Sequence, residues 1–256
     1  MPEAELRTGA FAASLLEGVD QVVISPGQVE GEEVITLQAL EGHVEGVVAG
    51  QPVSIEEGQT RSAINDRTPP TIQLQKPSAA TYLVGEAVAV AYICADAASF
   101  VVSCTGSAPN GVALDTRAPG VYTFEIVAVD TAGNQSSKTV QYTVSYGVRL
   151  LYDPTKIVKS GSTLPIKLQI VDAQGNNRSS SVLALQAVGV QMISSQVAGE
   201  VEDAGNANPD WTFRYNADTE GFIYNLKTTG LLTGTYDLRF SIIADPQLHR
   251  AKFQVR

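Results

Sequence analysis

The chain has 256 residues, 44% of them hydrophobic and only 17% charged, with a formal net charge of −10 and a pI near 4.7. That composition can fill cores and excludes wholesale disorder, while the acidic balance repels phosphate backbones and anionic bilayers, so neither nucleic acid nor a membrane surface is an expected partner. No run of about 18 apolar residues offers a membrane-spanning helix, and residues 1–20, carrying Glu3, Glu5 and Glu17, do not read as a signal peptide.

At roughly 100–200 residues per domain the length suggests two or three small domains. Residues 1–16 hold a weak helix signal: Ala4, Leu6, Phe11, Ala12, Leu15 and Leu16 are loosely spaced around a helix, with Gly18 as a stop. Residues 20–64 read as short strands and tight turns, including 22–24, 34–38, 43–48 and 53–55, with a turn at Glu56-Glu57-Gly58-Gln59. The stretch LEGHVEGVVAGQPVSIEEGQTRSA resembles the C-terminal half of FecR-like β-rich sensor domains. About 45 β residues close a core of their own with difficulty, so this segment is expected to dock or assemble with a partner.

Asn65-Asp66-Arg67-Thr68-Pro69-Pro70 is the clearest linker, because two prolines force extended backbone. Beyond it, residues 71–145 alternate strands and turns at about ten-residue spacing, the pattern of a β-sandwich. Tyr122, Phe124, Ile126 and Ala128 share one face of a long strand, and Val140, Tyr142 and Val144 one face of the next. Cys94 and Cys104 are the only cysteines, and their spacing suits neither a metal knuckle nor a redox pair. By alternation Cys94 follows Val88, Val90 and Tyr92, and Cys104 follows Val102, so both thiols are expected to point into one core. A disulfide between neighbouring strands is one reading; two buried free thiols are the other. The disulfide would imply an oxidising compartment.

The motifs PPTIQLQKP, GEAV, AYICADA, VVSCTGSAPNG and PGVYTFEIVAVDTAGNQSS resemble bacterial immunoglobulin-like repeats of secreted enzymes and adhesins. The likeness covers nearly all of residues 71–145, including both cysteines and the loop Asp130-Thr131-Ala132-Gly133-Asn134.

Residues 146–256 read as a second β unit. Ile166, Leu168 and Ile170 alternate inward, and Tyr236, Leu238, Phe240 and Ile242 share a face. Residues 158–168 (VKSGSTLPIKL) and 248–253 (LHRAKF) resemble the PxKF-type domain, with Leu168 where that family favours Phe. This family brings no established activity. The resemblances imply export and architecture, not mechanism.

Catalysis at neutral pH usually relies on a tunable base, most often His. His43 and His249 are the only histidines, and neither sits beside a nucleophile motif; His249 reads as a surface or rim residue. Glu41, His43 and Glu45 alternate as on one strand face, a weak metal-ligand pattern. Asp66, Asp130, Asn134 and Asp153 lie at sandwich poles and junctions, where oxygen ligands could hold Ca²⁺, although Asp and Asn in turns commonly serve the backbone. Trp211, Phe213 and Tyr215 share a parity beside a polar loop at 206–210. They would form a sugar-stacking platform if exposed, but the core-facing reading competes.

The expectation is therefore an all-β chain: a small strand-rich N-terminal element at 1–66, an immunoglobulin-like sandwich at 67–146, and a second sandwich at 147–256. Its expected role is that of a non-enzymatic, exported structural protein of a bacterial surface or filament. It would self-associate through strand edges and the N-terminal element; a carbohydrate-binding or adhesion module is the alternative.

Overall fold

The structure is a computed structural model. It describes residues 66–193 and 211–256 throughout. Of residues 1–65 and 194–210 it describes the strands named below with residues 56, 58 and 59, and there gives side chains only at 38, 54–56 and 58–60.

The described residues form strands and turns without an α-helix. In chain order the strands are β1 (Ala4–Thr8), β2 (Phe11–Leu15), β3 (Val19–Val29), β4 (Glu32–Gly42), β5 (Val44–Val48), β6 (Gln51–Ile55) and β7 (Thr60–Ile64). Then come β8 (Thr71–Lys76), β9 (Thr81–Leu83), β10 (Ala91–Ala95), β11 (Val101–Gly106), β12 (Gly120–Asp130), β13 (Gln135–Ser145) and β14 (Gly147–Leu150). The last set is β15 (Ile157–Val158), β16 (Thr163–Val171), β17 (Leu185–Met192), β18 (Ala198–Gly199), β19 (Arg214–Asn216), β20 (Gly221–Lys227), β21 (Gly234–Ile242) and β22 (Leu248–Val255).

The helix expected at residues 1–16 is replaced by an antiparallel hairpin, β1–β2, in which Ala4 faces Leu15 and Thr8 faces Phe11. Ala4 with Leu6, and Phe11 with Ala13 and Leu15, also satisfy a period of two, so strand pairing overrides a loose helical spacing. Strands β3 and β4 pair along nearly their whole length. Strand β7 covers only Val34 to Gln38 of β4, giving the sheet order β3-β4-β7. The turn at Glu56–Gln59 forms as expected: Gln59 N–H donates to the Glu56 carbonyl at 2.9 Å, and Gly58 supplies a φ of 76°.

The described contacts divide the chain into two compact units. The first holds Met1–Lys76, Ala89–Val112 and Phe124–Val140. Its sandwich portion has two layers, the pair β8–β10 and part of the sheet β11-β12-β13-β9. Between them lie Val90, Tyr92, Phe124, Ile126 and Ala128, all buried, with the Tyr92 and Phe124 rings 6.3 Å apart. Cys94 of β10 and Cys104 of β11 form a disulfide with a Cα–Cα distance of 6.0 Å. Both cysteines are half-buried rather than deep in the core. Val102 does not share the inward side expected of it and is exposed. The pairing register shifts between Val101 and Ser103, and such a bulge breaks alternation.

The second unit holds Pro77–Val88, Ala113–Thr123 and Gln141–Arg256. A sheet β14-β16-β20-β19 and a sheet β15-β22-β21-β17-β18 enclose one apolar core. Ile166, Leu168, Ile170, Phe222, Tyr224, Leu238, Phe240 and Phe253 are all buried there. Each such side chain contributes about 1.5–3 kcal/mol on removal from water. The alternations anticipated in β16 and β21 hold.

Candidate cation-binding site

Strand β12 buries Phe124, Ile126 and Ala128 at every second position, and Asp130 continues that parity. The inward face of the strand thus ends on a carboxylate, only 2% exposed. The segment before β8 brings Asp66, 4% exposed, to the same place. Asp96, directly after β10, is the third member. One carboxylate oxygen from each of Asp66, Asp96 and Asp130 lies within 4.8 Å of the others.

Local turns fix all three. Asp66 Oδ1 accepts the Thr68 N–H at 2.8 Å. Asp96 Oδ1 accepts the N–H groups of Ala98 (2.9 Å) and Ser99 (2.7 Å). Asp130 Oδ1 accepts the Asn134 N–H at 2.8 Å, and its Oδ2 accepts Asn134 Nδ2 at 2.9 Å. Asn134 Nδ2 also donates to the Asp66 carbonyl at 3.1 Å, tying the linker to the β12–β13 loop. The Ser136 hydroxyl donates to the Pro70 carbonyl. Gly133, with φ of 85°, allows the loop to turn that tightly.

Two oxygens are left over. Asp66 Oδ2 and Asp96 Oδ2 are buried and have no hydrogen-bond partner. Burial pushes the Asp96 carboxyl up, but the N–H groups of Ser99 and Ala98 and the Ser99 hydroxyl outweigh this and hold it below the usual carboxylate range. At 4.8 Å and an effective dielectric near 20, each ionised pair repels by about 3.5 kcal/mol. None of the ion pairs among the described residues reaches Asp66, Asp96 or Asp130.

The sequence placed two of the three acids. Asp66 and Asp130 come together as the cation reading required. Asn134 ties the cluster together, its Nδ2 donating to Asp130 Oδ2 and to the Asp66 carbonyl. Asp153 is not part of the cluster; its Oδ1 accepts the Thr155 N–H (2.9 Å) and hydroxyl (2.6 Å) in an exposed turn. Asp96 was missed because it follows β10, in a different sheet from β12, and only the packing of the two layers brings it near Asp130.

The remaining candidates do not assemble. Phe213 is 6% exposed and packs in the second core against Tyr224 and Phe240. Tyr215 packs edge-on against Phe222. Trp211 is 41% exposed, but its φ of 63° breaks the strand parity that would align it with the other two. The three therefore form no shared solvent-facing platform. Glu41 lies on β4 and Glu45 on β5, in separate sheets, so they do not share one strand face; His43 and the 206–210 loop lie outside the described residues. His249 is not a rim residue: it sits within β22, 8% exposed, and Phe240 stacks on it at 5.6 Å. A depression of about 500 Å³ beside the disulfide is lined by Tyr92, Cys104, Thr105, Gly106, Pro109 and Asn110. It gathers no acid–base pair, and the Tyr92 hydroxyl already accepts the Gly106 N–H at 3.0 Å.

Fold and site together define an all-β protein of β-sandwiches, one of them carrying a disulfide. No family model matches the chain, and no curated protein matches it. Among solved structures it is similar to titin Ig tandem domains A164-A165, at 10% identity over 74% of this chain and 98% of that one, with a TM-score of 0.23. It is also similar to Dpr2 Ig1-Ig2 in complex with DIP-Theta Ig1-Ig3, at 11% identity over 74% and 98%, with a TM-score of 0.30. A third is SGBP-B of the Bacteroides ovatus mixed-linkage glucan utilization locus, in complex with mixed-linkage heptasaccharide, at 13% identity over 74% and 48%, with a TM-score of 0.22. Likenesses this distant say nothing of what this chain binds.

Proposed function

We propose that the chain is an exported, non-catalytic surface module that associates with a second copy of itself through the open edge of β3. The observation that carries this reading is the sheet order β3-β4-β7. Strand β3 is 11 residues long and has β4 as its only partner among the described residues. An unpaired edge of that length is a template for another strand. Export is supported by the Cys94–Cys104 disulfide and by the resemblance of residues 71–145 and 158–168 to domains of secreted bacterial proteins. The non-catalytic reading is supported by His249, which is only 8% exposed within β22 and packs against the Phe240 ring.

Sedimentation velocity of the full chain over a wide concentration range tests the association. The expected result is a weight-average mass that rises with concentration and falls back when proline is placed within β3 (Val22→Pro, Ile24→Pro). A strict monomer at the highest concentration overturns it.

A further inference from the structure

The two sandwiches repeat one turn. Asp130-Thr131-Ala132-Gly133-Asn134 and Asp172-Ala173-Gln174-Gly175-Asn176 match at Asp, Gly and Asn. In both, the Asp N–H donates to the Asn carbonyl at 3.1 Å. In both, the Asn N–H donates to Oδ1 of the Asp at 2.8 Å, and the Asn Nδ2 donates to its Oδ2. Both glycines have positive φ, 85° and 79°.

The turns differ in what faces the buried carboxylate. Asp172 is met by a cation belonging to the chain: Arg178 Nη2 lies 2.8 Å from Oδ2 and Nε 2.9 Å from the same atom. Asp130 is met by two more acids, Asp66 and Asp96, each with a buried oxygen that accepts no hydrogen bond. Buried carboxylates in mutual contact need a compensating positive charge. Arg178 supplies it in the second turn, and no described side chain supplies it in the first.

From this contrast we infer that Asp66, Asp96 and Asp130 bind a divalent, oxygen-seeking cation, Ca²⁺, in the place that Arg178 fills at the other turn. Ca²⁺ takes oxygen ligands at about 2.3–2.6 Å, so two donors on one ion lie within roughly 5.2 Å of each other, and the spacing of the three acids fits. All-carboxylate donors suit a hard cation and not a thiophilic one. The ion would fasten the linker at Asp66 to the ends of β10 and β12, holding Arg67 to Pro70 against the sandwich. The site shares no residue with the β3 edge, so either reading survives failure of the other.

The test uses the full chain stripped with chelator, then titrated with Ca²⁺ alone and, in parallel, Mg²⁺ alone. Calorimetry is expected to show one Ca²⁺ site with a dissociation constant at or below about 1 mM. Saturating Ca²⁺ is expected to raise Tm by several degrees and slow tryptic cleavage after Arg67. Asp96→Asn and Asp66→Asn, which keep side-chain shape, are expected to abolish the calorimetric signal and the Tm response, and to melt above the stripped wild type because one repulsive charge is gone. Asp172→Asn is the control that keeps the Ca²⁺ response. The inference is overturned if Ca²⁺ gives no heat, no Tm shift and no protection at Arg67.

Discussion

Oδ2 of Asp245 lies 3.0 Å from Nε2 of His249, and the same oxygen accepts the Tyr146 N–H at 2.9 Å and the Ser145 hydroxyl at 3.0 Å. One carboxylate therefore joins the end of β13 to the turn before β22 within the second unit. Burial pushes this carboxyl up, but His249 and the N–H groups of Tyr146 and Gln247 outweigh that and hold it below the usual range.

A depressed folded value fixes the sign of the pH dependence. The stabilisation is complete above the unfolded value near 3.9 and is lost as pH falls through the lower folded value. Asp245→Asn is expected to cost about 2–4 kcal/mol at neutral pH and to flatten the stability profile below about pH 4. Urea denaturation across pH checks this; an unchanged acid limb in Asp245→Asn would show that the carboxylate is not the titrating contact.

The disulfide closes a loop of 10 residues in sequence separation. In the chain-entropy picture such a loop stabilises by about 2–3 kcal/mol. Cys94→Ala/Cys104→Ala is expected to lose that much in denaturant unfolding while retaining its strand content by circular dichroism. A loss below about 0.5 kcal/mol would place the constraint elsewhere.

Arg178→Met leaves the buried Asp172 carboxylate without its cation. The variant is expected to melt below wild type, and Arg178→Met/Asp172→Asn to recover most of the loss, because the uncompensated charge goes with the carboxylate. A double variant no better than the single one would mean that Arg178 acts through packing.

Most of the architecture beyond residue 70 was legible because half-buried strands write their period into the sequence: Ile166, Leu168 and Ile170 could face only one core. What failed did so where the backbone departs from that period. The bulge at Val102 and the positive φ of Trp211 each break alternation, and neither leaves a signature in residue type. His249 looked peripheral because its partner, Asp245, lies across a turn. At residues 1–16 the apolar spacing fitted two periods, and pairing with a neighbour decided between them. Asp96 could not be placed beside Asp130 without knowing how the two sheets pack, whereas the repeat of Asp-x-x-Gly-Asn at 130–134 and 172–176 was readable and marks equivalent turns.

The proposal that this chain works outside the reducing cytoplasm is tested most directly by trapping thiols in intact source cells. Cells are alkylated before lysis, with and without protease added outside, and the Cys94–Cys104 peptide is read by mass spectrometry. The account predicts a fully bridged, unalkylated pair on a chain that external protease degrades. Alkylated cysteines on a protease-protected chain would contradict it.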